Sequence, residues 1–248
     1  MKKYAFHIQK GGVGKSTLSG NIAYFLGKSQ KTILIDCDPQ GSSSTWFLTD
    51  NHNVKYDLSN ALSGQVAVKE CIVKVTDSFF VLPTFSINGT LKNYAETKLN
   101  DEPYIFEDLC DELEKLDFQT AIFDLSPGMS KLEKSVLLAM DEVLTPLTPE
   151  FFSLDGIEIF NSELQKINKS YRKNIKHEKI IINNINRSFK RHNTIYDKMK
   201  TLDYNIFAIP QDSKIAESQL YNQSIFQYYP ESKAIPELKK LAKVMEGK

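Results

Sequence analysis

The segment Lys10-Gly11-Gly12-Val13-Gly14-Lys15-Ser16-Thr17 constrains the fold of this chain more than any other feature. It follows Tyr4-Ala5-Phe6-His7-Ile8, a short apolar run that reads as a strand, and precedes Leu18, Ile22, Phe25 and Leu26, spaced as the buried face of a helix. A glycine loop between a strand and a helix is the context in which such a match holds phosphate. Glycines let the backbone N–H groups turn inward onto phosphate oxygens, and the start of the helix adds a field that favours anions. Lys15 is expected to reach the β- and γ-phosphates and the Ser16 hydroxyl to ligate Mg²⁺. The segment predicts a site for a nucleoside triphosphate with magnesium.

Strand and helix patterns alternate along the rest of the chain. Residues 32–35, 79–82, 120–123, 142–144, 179–182 and 205–208 read as buried strands, and 104–116, 132–140, 152–167 and 194–202 as helices. Repeated βα units predict an α/β fold, a mostly parallel twisted sheet with helices on both faces. Ligands in such sheets sit beyond the carboxyl ends of the strands. With 248 residues and no repeat, low-complexity tract or linker, one domain over 1–248 is the expected organisation.

Composition narrows the class. No apolar run approaches the roughly 20 residues of a membrane span, and Met1-Lys2-Lys3 leads directly into the first strand, which reads as no signal peptide. Cys37, Cys71 and Cys110 are widely spaced, as suits a reducing cytoplasm. Formal net charge is zero but unevenly distributed: residues 166–200 hold eleven Lys/Arg against Glu178 and Asp197, whereas 96–150 hold fourteen Asp/Glu against four lysines. That polarity predicts a basic face.

Two strand ends carry the carboxylates that a magnesium–triphosphate site requires. Ile35-Asp36-Cys37-Asp38-Pro39-Gln40-Gly41 closes one, and Phe123-Asp124-Leu125-Ser126-Pro127-Gly128 the other. Asp124 fits the Walker B carboxylate that holds Mg²⁺ through water. Cys37, between two acids on a strand, points to the opposite side and is expected to pack in the core.

The phosphate loop departs from the ordinary pattern: Gln9 stands where that pattern has glycine, and an extra lysine stands at Lys10. This deviant Walker motif resembles the ParA/MinD/NifH group of P-loop ATPases. The resemblance implies ATP as the glue of a nucleotide-sandwich homodimer, with Lys10 reaching the partner's phosphates and with Gly11, Gly12, Val13, Gly14, Lys15, Ser16 and Thr17 cradling its own. It assigns Asp38 to positioning the attacking water and Asp36, with Ser16 and Asp124, to the magnesium shell. Orientation of that water matters more than basicity.

Ala208-Ile209-Pro210-Gln211-Asp212-Ser213-Lys214-Ile215-Ala216-Glu217 looks like the ParA loop that packs on adenine, which places Pro210, Gln211 and Asp212 at the base. Gln211 stands where relatives often have arginine. Asn183 or Asn184 falls where the family reads adenine through a side-chain amide, with Asn183 favoured. With Pro146, residues 149–154 and Asp155-Gly156, family-like segments run from Lys3 to about Lys243.

Within the group, the stretch after Asp124 lacks the cysteine that cluster-bridging NifH-type reductases use, and the tail lacks the tyrosines of tyrosine-kinase relatives. Asp36–Gly41 and the Pro210 segment favour the ParA/Soj branch, which segregates plasmid or chromosome copies. That resemblance implies a weak ATPase whose ATP dimer binds nonspecific double-stranded DNA and is released when a ParB-type centromere-binding partner stimulates hydrolysis, on the cytoplasmic nucleoid. Backbone-phosphate binding needs basic side chains on one face, and Arg187, Lys190, Arg191 and Lys214 are the candidates. The amino-terminal helix-turn-helix domain of longer relatives is not expected.

The alternative is a MinD-like ATPase that reaches a membrane through a carboxyl-terminal amphipathic helix. Leu238, Leu241, Val244 and Met245 have helical spacing, but a last helix docked on the sheet is the favoured reading of them.

Overall fold

A computed structural model describes residues 1–85, 90–150 and 153–247. Phe151 and Phe152, which belong to the family-like stretch and to the start of the helix expected at 152–167, lie outside the described residues. The chain runs β1 (Lys2–Phe6), α1 (Lys15–Leu26), β2 (Thr32–Cys37), α2 (Ser42–Phe47), α3 (Leu58–Leu62), α4 (Val68–Cys71), β3 (Val73–Lys74), β4 (Phe79–Leu82), α5 (Thr90–Thr97) and α6 (Ile105–Lys115). It continues through β5 (Thr120–Leu125), α7 (Lys131–Leu138), β6 (Glu142–Leu147), α8 (Ser153–Tyr171), β7 (Lys176–Ile185) and α9 (Lys190–Lys200) to β8 (Asn205–Pro210), α10 (Ser213–Leu220), α11 (Ile225–Tyr228) and α12 (Ile235–Glu246).

The strands form one eight-stranded sheet in the order β3-β4-β2-β5-β1-β6-β7-β8. Every pairing is parallel except the short β3–β4 pair at the edge. Alternation along each strand feeds two cores. Ala5, Ile33, Ile35, Phe123 and Ile180 face the layer that contains α6, α7 and α8, while Tyr4, Phe6, Leu34, Ile122 and Ile181 face α1 and α12. Both faces are covered, so the central stretches of these strands are largely apolar on both sides, as a parallel sheet favours. The expected α/β class and flanking helices are therefore present.

The strand order turns back at β1, whose neighbours are β5 and β6. The crevice opened at such a reversal is where doubly wound sheets hold ligands, and the glycine loop leaves β1 there.

Several local expectations change. Ile8 is buried beyond the end of β1, β7 extends over ten residues, and α9 begins at Lys190 rather than Thr194. Cys37, Cys71 and Cys110 are all buried and free. The carboxyl-terminal helix docks as favoured, but Ala242, not Val244, joins Leu238, Leu241 and Met245 in the core, and Val244 faces outward. Tyr4 Oη and Lys2 Nζ both donate to the Met245 carbonyl, closing the end of α12 onto β1. Its apolar stripe is thus occupied by the sheet, and no helix among the described residues is long and apolar enough to cross a membrane.

Candidate active site

The loop from Gln9 to Gly14 rises from β1 and turns into α1. Gly12 and Gly14 take positive φ, 73° and 93°, a region glycine enters without a Cβ clash. Gly14 is the N-cap of α1 and supplies no side-chain cap, which leaves the first-turn N–H groups facing the loop. Lys15 is buried, and its Nζ donates to the Lys10 carbonyl at 2.9 Å, curling over the loop. Burial lowers the Lys15 pKa, and the nearby Asp124 and Asp38 carboxylates oppose that shift. Thr17 Oγ1 accepts from Gln219 Nε2 on α10.

Asp36 and Asp124 stand opposite each other in the β2–β5 register, and both are fully buried. Burial pushes each carboxyl above its ordinary range. For Asp36 the neighbouring Asp124 adds to the rise, while the Ser43 hydrogen bond and the nearby Ser16 hydroxyl pull Asp124 back. Asp36 Oδ2 accepts from the N–H and hydroxyl of Ser44, and Oδ1 from the Asp38 N–H. Asp124 Oδ2 accepts from Ser43 Oγ at 2.5 Å, whereas its Oδ1 is buried without a protein partner. Two buried acids side by side, with one oxygen unpaired next to Ser16, suit a hard divalent cation with oxygen ligands. Ser16 and Asp124 could therefore hold Mg²⁺, and Asp36 contributes charge while its oxygens hold Ser44 and Asp38. The Asp38 carboxylate accepts from the Gln40 N–H in the turn that ends at Gly41, itself at φ 65°.

The adenine candidates are more dispersed. Asn183 Nδ2 donates to the Val13 carbonyl and so braces the phosphate loop; a Cβ on Gly14 would lie 2.2 Å from that nitrogen. Asn184 is exposed in a left-handed conformation, φ 59°. Pro210 ends β8, Gln211 Oε1 accepts from Asn186 Nδ2, and Asp212 caps α10 and accepts from Ser232 Oγ.

Lys10 Nζ forms an ion pair at 2.6 Å with Glu150, three residues beyond β6. Glu150 carried no assigned role in the sequence, nor did Ser43, Ser44 or Gln219. Glu150 sits within the family-like 149–154 stretch, and Ser43 and Ser44 lie two and three residues past the Asp36–Gly41 motif, so proximity to a motif was the available signal.

The basic stretch is smaller than its count suggests. Lys166, Lys173, Lys176 and Lys179 pair with Glu163, Glu107, Glu178 and Glu142. Arg187 lies flat over Tyr196, 3.6 Å from the ring centroid, with Lys200 also over that ring. Lys190 and Arg191 rim a groove of about 640 Å³ floored by Pro149, Leu154 and Ile195. Lys214 lies on α10 and pairs with Glu217.

Residues 1–177 match the AAA_31 family, described as an AAA domain. An uncharacterized protein of Borreliella burgdorferi is 54% identical over 97% of this chain and 98% of its own length. The chromosome-partitioning ATPase Soj of Thermus thermophilus is 25% identical over 98% of this chain and 94% of its own length. Among solved structures, a putative plasmid partition protein from Borrelia burgdorferi bound to AMPPNP superposes with a TM-score of 0.83. It is 23% identical and covers 99% of this chain and 98% of that one. The resemblance to ParA/Soj partition ATPases read from the deviant loop holds across nearly the whole chain.

Proposed function

Because this chain belongs to the AAA_31 family of AAA domains, we propose that it is an ATP-dependent partition protein. It binds and hydrolyses ATP with Mg²⁺, forms an ATP-sandwich homodimer, and in that state binds nonspecific double-stranded DNA on the nucleoid. A ParB-type partner stimulates its weak hydrolysis and releases it, segregating plasmid or chromosome copies. The observation that carries the reading is the convergence of buried Lys15, Asp38 and the Asp36–Asp124 pair at the carboxyl ends of neighbouring strands, with Lys10 at the rim. The 25% identical Soj and the plasmid partition fold support the biological role.

In this mechanism, the N–H groups of residues 11–17 bind phosphate oxygens, and Lys15 releases the Lys10 carbonyl to neutralise the β- and γ-phosphates. Ser16 and Asp124, with Asp36 in the surrounding shell, would hold Mg²⁺, which would supply charge neutralisation at the phosphates. Asp38 orients the attacking water in line with the leaving oxygen, a positioning role that needs no strong base. Lys10 leaves Glu150 for the phosphates of the second copy. Asn183, Pro210, Gln211 and Asp212 line the base side. Arg187, Lys190, Arg191 and Lys214 contact DNA phosphates.

The test is binding to random-sequence duplex without nucleotide, with ADP and with a slowly hydrolysed ATP analogue, alongside anionic liposomes. Binding to duplex only with the analogue, lost at high salt and in Lys10→Ala, is the expected result. Liposome binding without duplex binding overturns the reading.

A further inference from the structure

Helix α2 is tied at both ends to parts of the chain far apart in sequence. At its first turn, Ser43 Oγ donates to Asp124 Oδ2, and Ser44 donates twice to Asp36. Thr84 N–H donates to Ser44 Oγ, so the same turn is also held to the segment after β4. At its last turn, Asn222 Nδ2 donates to the carbonyls of Thr45 and Trp46, and Trp46 Nε1 donates to the Gln223 carbonyl at 3.0 Å. Residues 222 and 223 connect α10 to α11. Trp46, the chain's single tryptophan, is buried and stacked on Phe47.

A six-residue helix has too few internal hydrogen bonds to hold itself, so its position follows its attachments. One attachment is Asp124 Oδ2, on the same carboxylate as the buried, unpartnered Oδ1. A cation held by Ser16 and Asp124 would fix the plane of that carboxylate, and with it the direction of the Ser43 hydrogen bond. The segment carrying Asp38 lies between Asp36 and that bond. We propose that α2 is a two-ended latch that transmits occupancy of the Ser16–Asp124 cation site to the Asn222–Gln223 connection, with Ser43 as the positioning residue at its metal end. The surface on the far side includes Lys214 of α10 and the exposed Leu220 and Tyr221. The latch rests on the ATP reading above.

Coupling of this kind is reciprocal, so a change at either end must be felt at the other. The experiment follows Trp46 emission and acrylamide quenching in the full chain while Mg²⁺ is titrated into protein saturated with AMPPNP, whose binding is measured independently by calorimetry. Wild type is expected to change its Trp46 signal with Mg²⁺. Ser43→Ala raises the Mg²⁺ midpoint about 10-fold, and Ser43→Thr restores it. Asn222→Ala, which removes the hydrogen bonds to the Thr45 and Trp46 carbonyls, raises the midpoint about 5-fold. Circular dichroism checks that each variant is folded, and the two ends test the latch independently. A bound analogue with no Mg²⁺-dependent Trp46 signal, or a wild-type midpoint in Asn222→Ala, overturns the latch. Failure of AMPPNP to bind at all overturns the ATP reading instead.

Discussion

Gly14 meets two separate demands, and substitutions can separate them. Its φ of 93° excludes a side chain on conformational grounds, and Asn183 Nδ2 occupies the place of a Cβ. Gly14→Ala should weaken analogue binding by more than about 10-fold, or about 1.4 kcal/mol. Adding Asn183→Ala relieves only the contact, so calorimetry on the double variant should recover part of the loss and not all of it. At Asp36 and Asp124, burial raises both pKa values, so the pair retains proton in the neutral range until a cation displaces it. Magnesium binding with nucleotide should therefore release protons and tighten as pH rises. Calorimetry in buffers of different ionisation enthalpy reads this directly, and a buffer-independent heat would contradict it. The Lys10–Glu150 pair competes with any phosphate Lys10 is to reach. Glu150→Gln should ease analogue-driven dimerisation, seen by light scattering as a lower analogue concentration at the dimer midpoint, and an unchanged midpoint would contradict the competition.

Among the elements, α1 carries a glycine whose value is opposite to its helix propensity. Alanine is ordinarily better than glycine inside a helix by about 1 kcal/mol. At Gly20, however, an added Cβ would lie 2.4 Å from Trp46 Cζ3 and 2.8 Å from Phe47 Cε2. Gly20→Ala should therefore lower Tm and shift Trp46 emission, because the aromatic side chains of α2 are seated on that gap. Strands β6 and β7 share a different device: Lys179 Nζ lies 2.6 Å from both oxygens of Glu142, and both residues are buried. Lys179→Met leaves a carboxylate buried without its cation and should cost about 3–5 kcal/mol in urea unfolding. The double variant Lys179→Met/Glu142→Leu should recover most of that, since the pair also carries a desolvation cost.

For the whole molecule, buried His7 and half-buried His177 contribute to the acid limit. His7 lies in the core against Phe160 with neither ring nitrogen hydrogen-bonded, and His177 bridges Thr145 and Asn161. Burial lowers both from 6.5 to about 4. The unfolded chain takes up these protons as pH falls through about 6.5, and the folded chain does not until about 4. Their contribution, about 3 kcal/mol each, is present above that window and is lost across it. The proton held by the Asp36–Asp124 pair opposes this term over the same window, so the histidine part is read by difference: relative to wild type, His7→Leu should raise Tm more at pH 5 than at pH 7.

Period and punctuation made the frame legible from the sequence alone: the apolar runs at 32–35, 79–82 and 120–123 are strands at those positions, and the glycine loop lies between a strand and a helix. These signals are local, written in side chains within a few residues of one another. The antiparallel β3, two residues long, carries no period, and α2 gains its place from Ser43, Ser44 and Asn222 rather than from propensity. The sequence by itself determined the α/β class, the phosphate loop and the acids at its strand ends. Only the tertiary structure decided that Asp36 faces Asp124, that Lys10 meets Glu150, that four of the lysines between 166 and 179 are paired, and that α12 is closed onto β1. Each of those depends on side chains brought together by strand order and burial, which no spacing along the chain encodes.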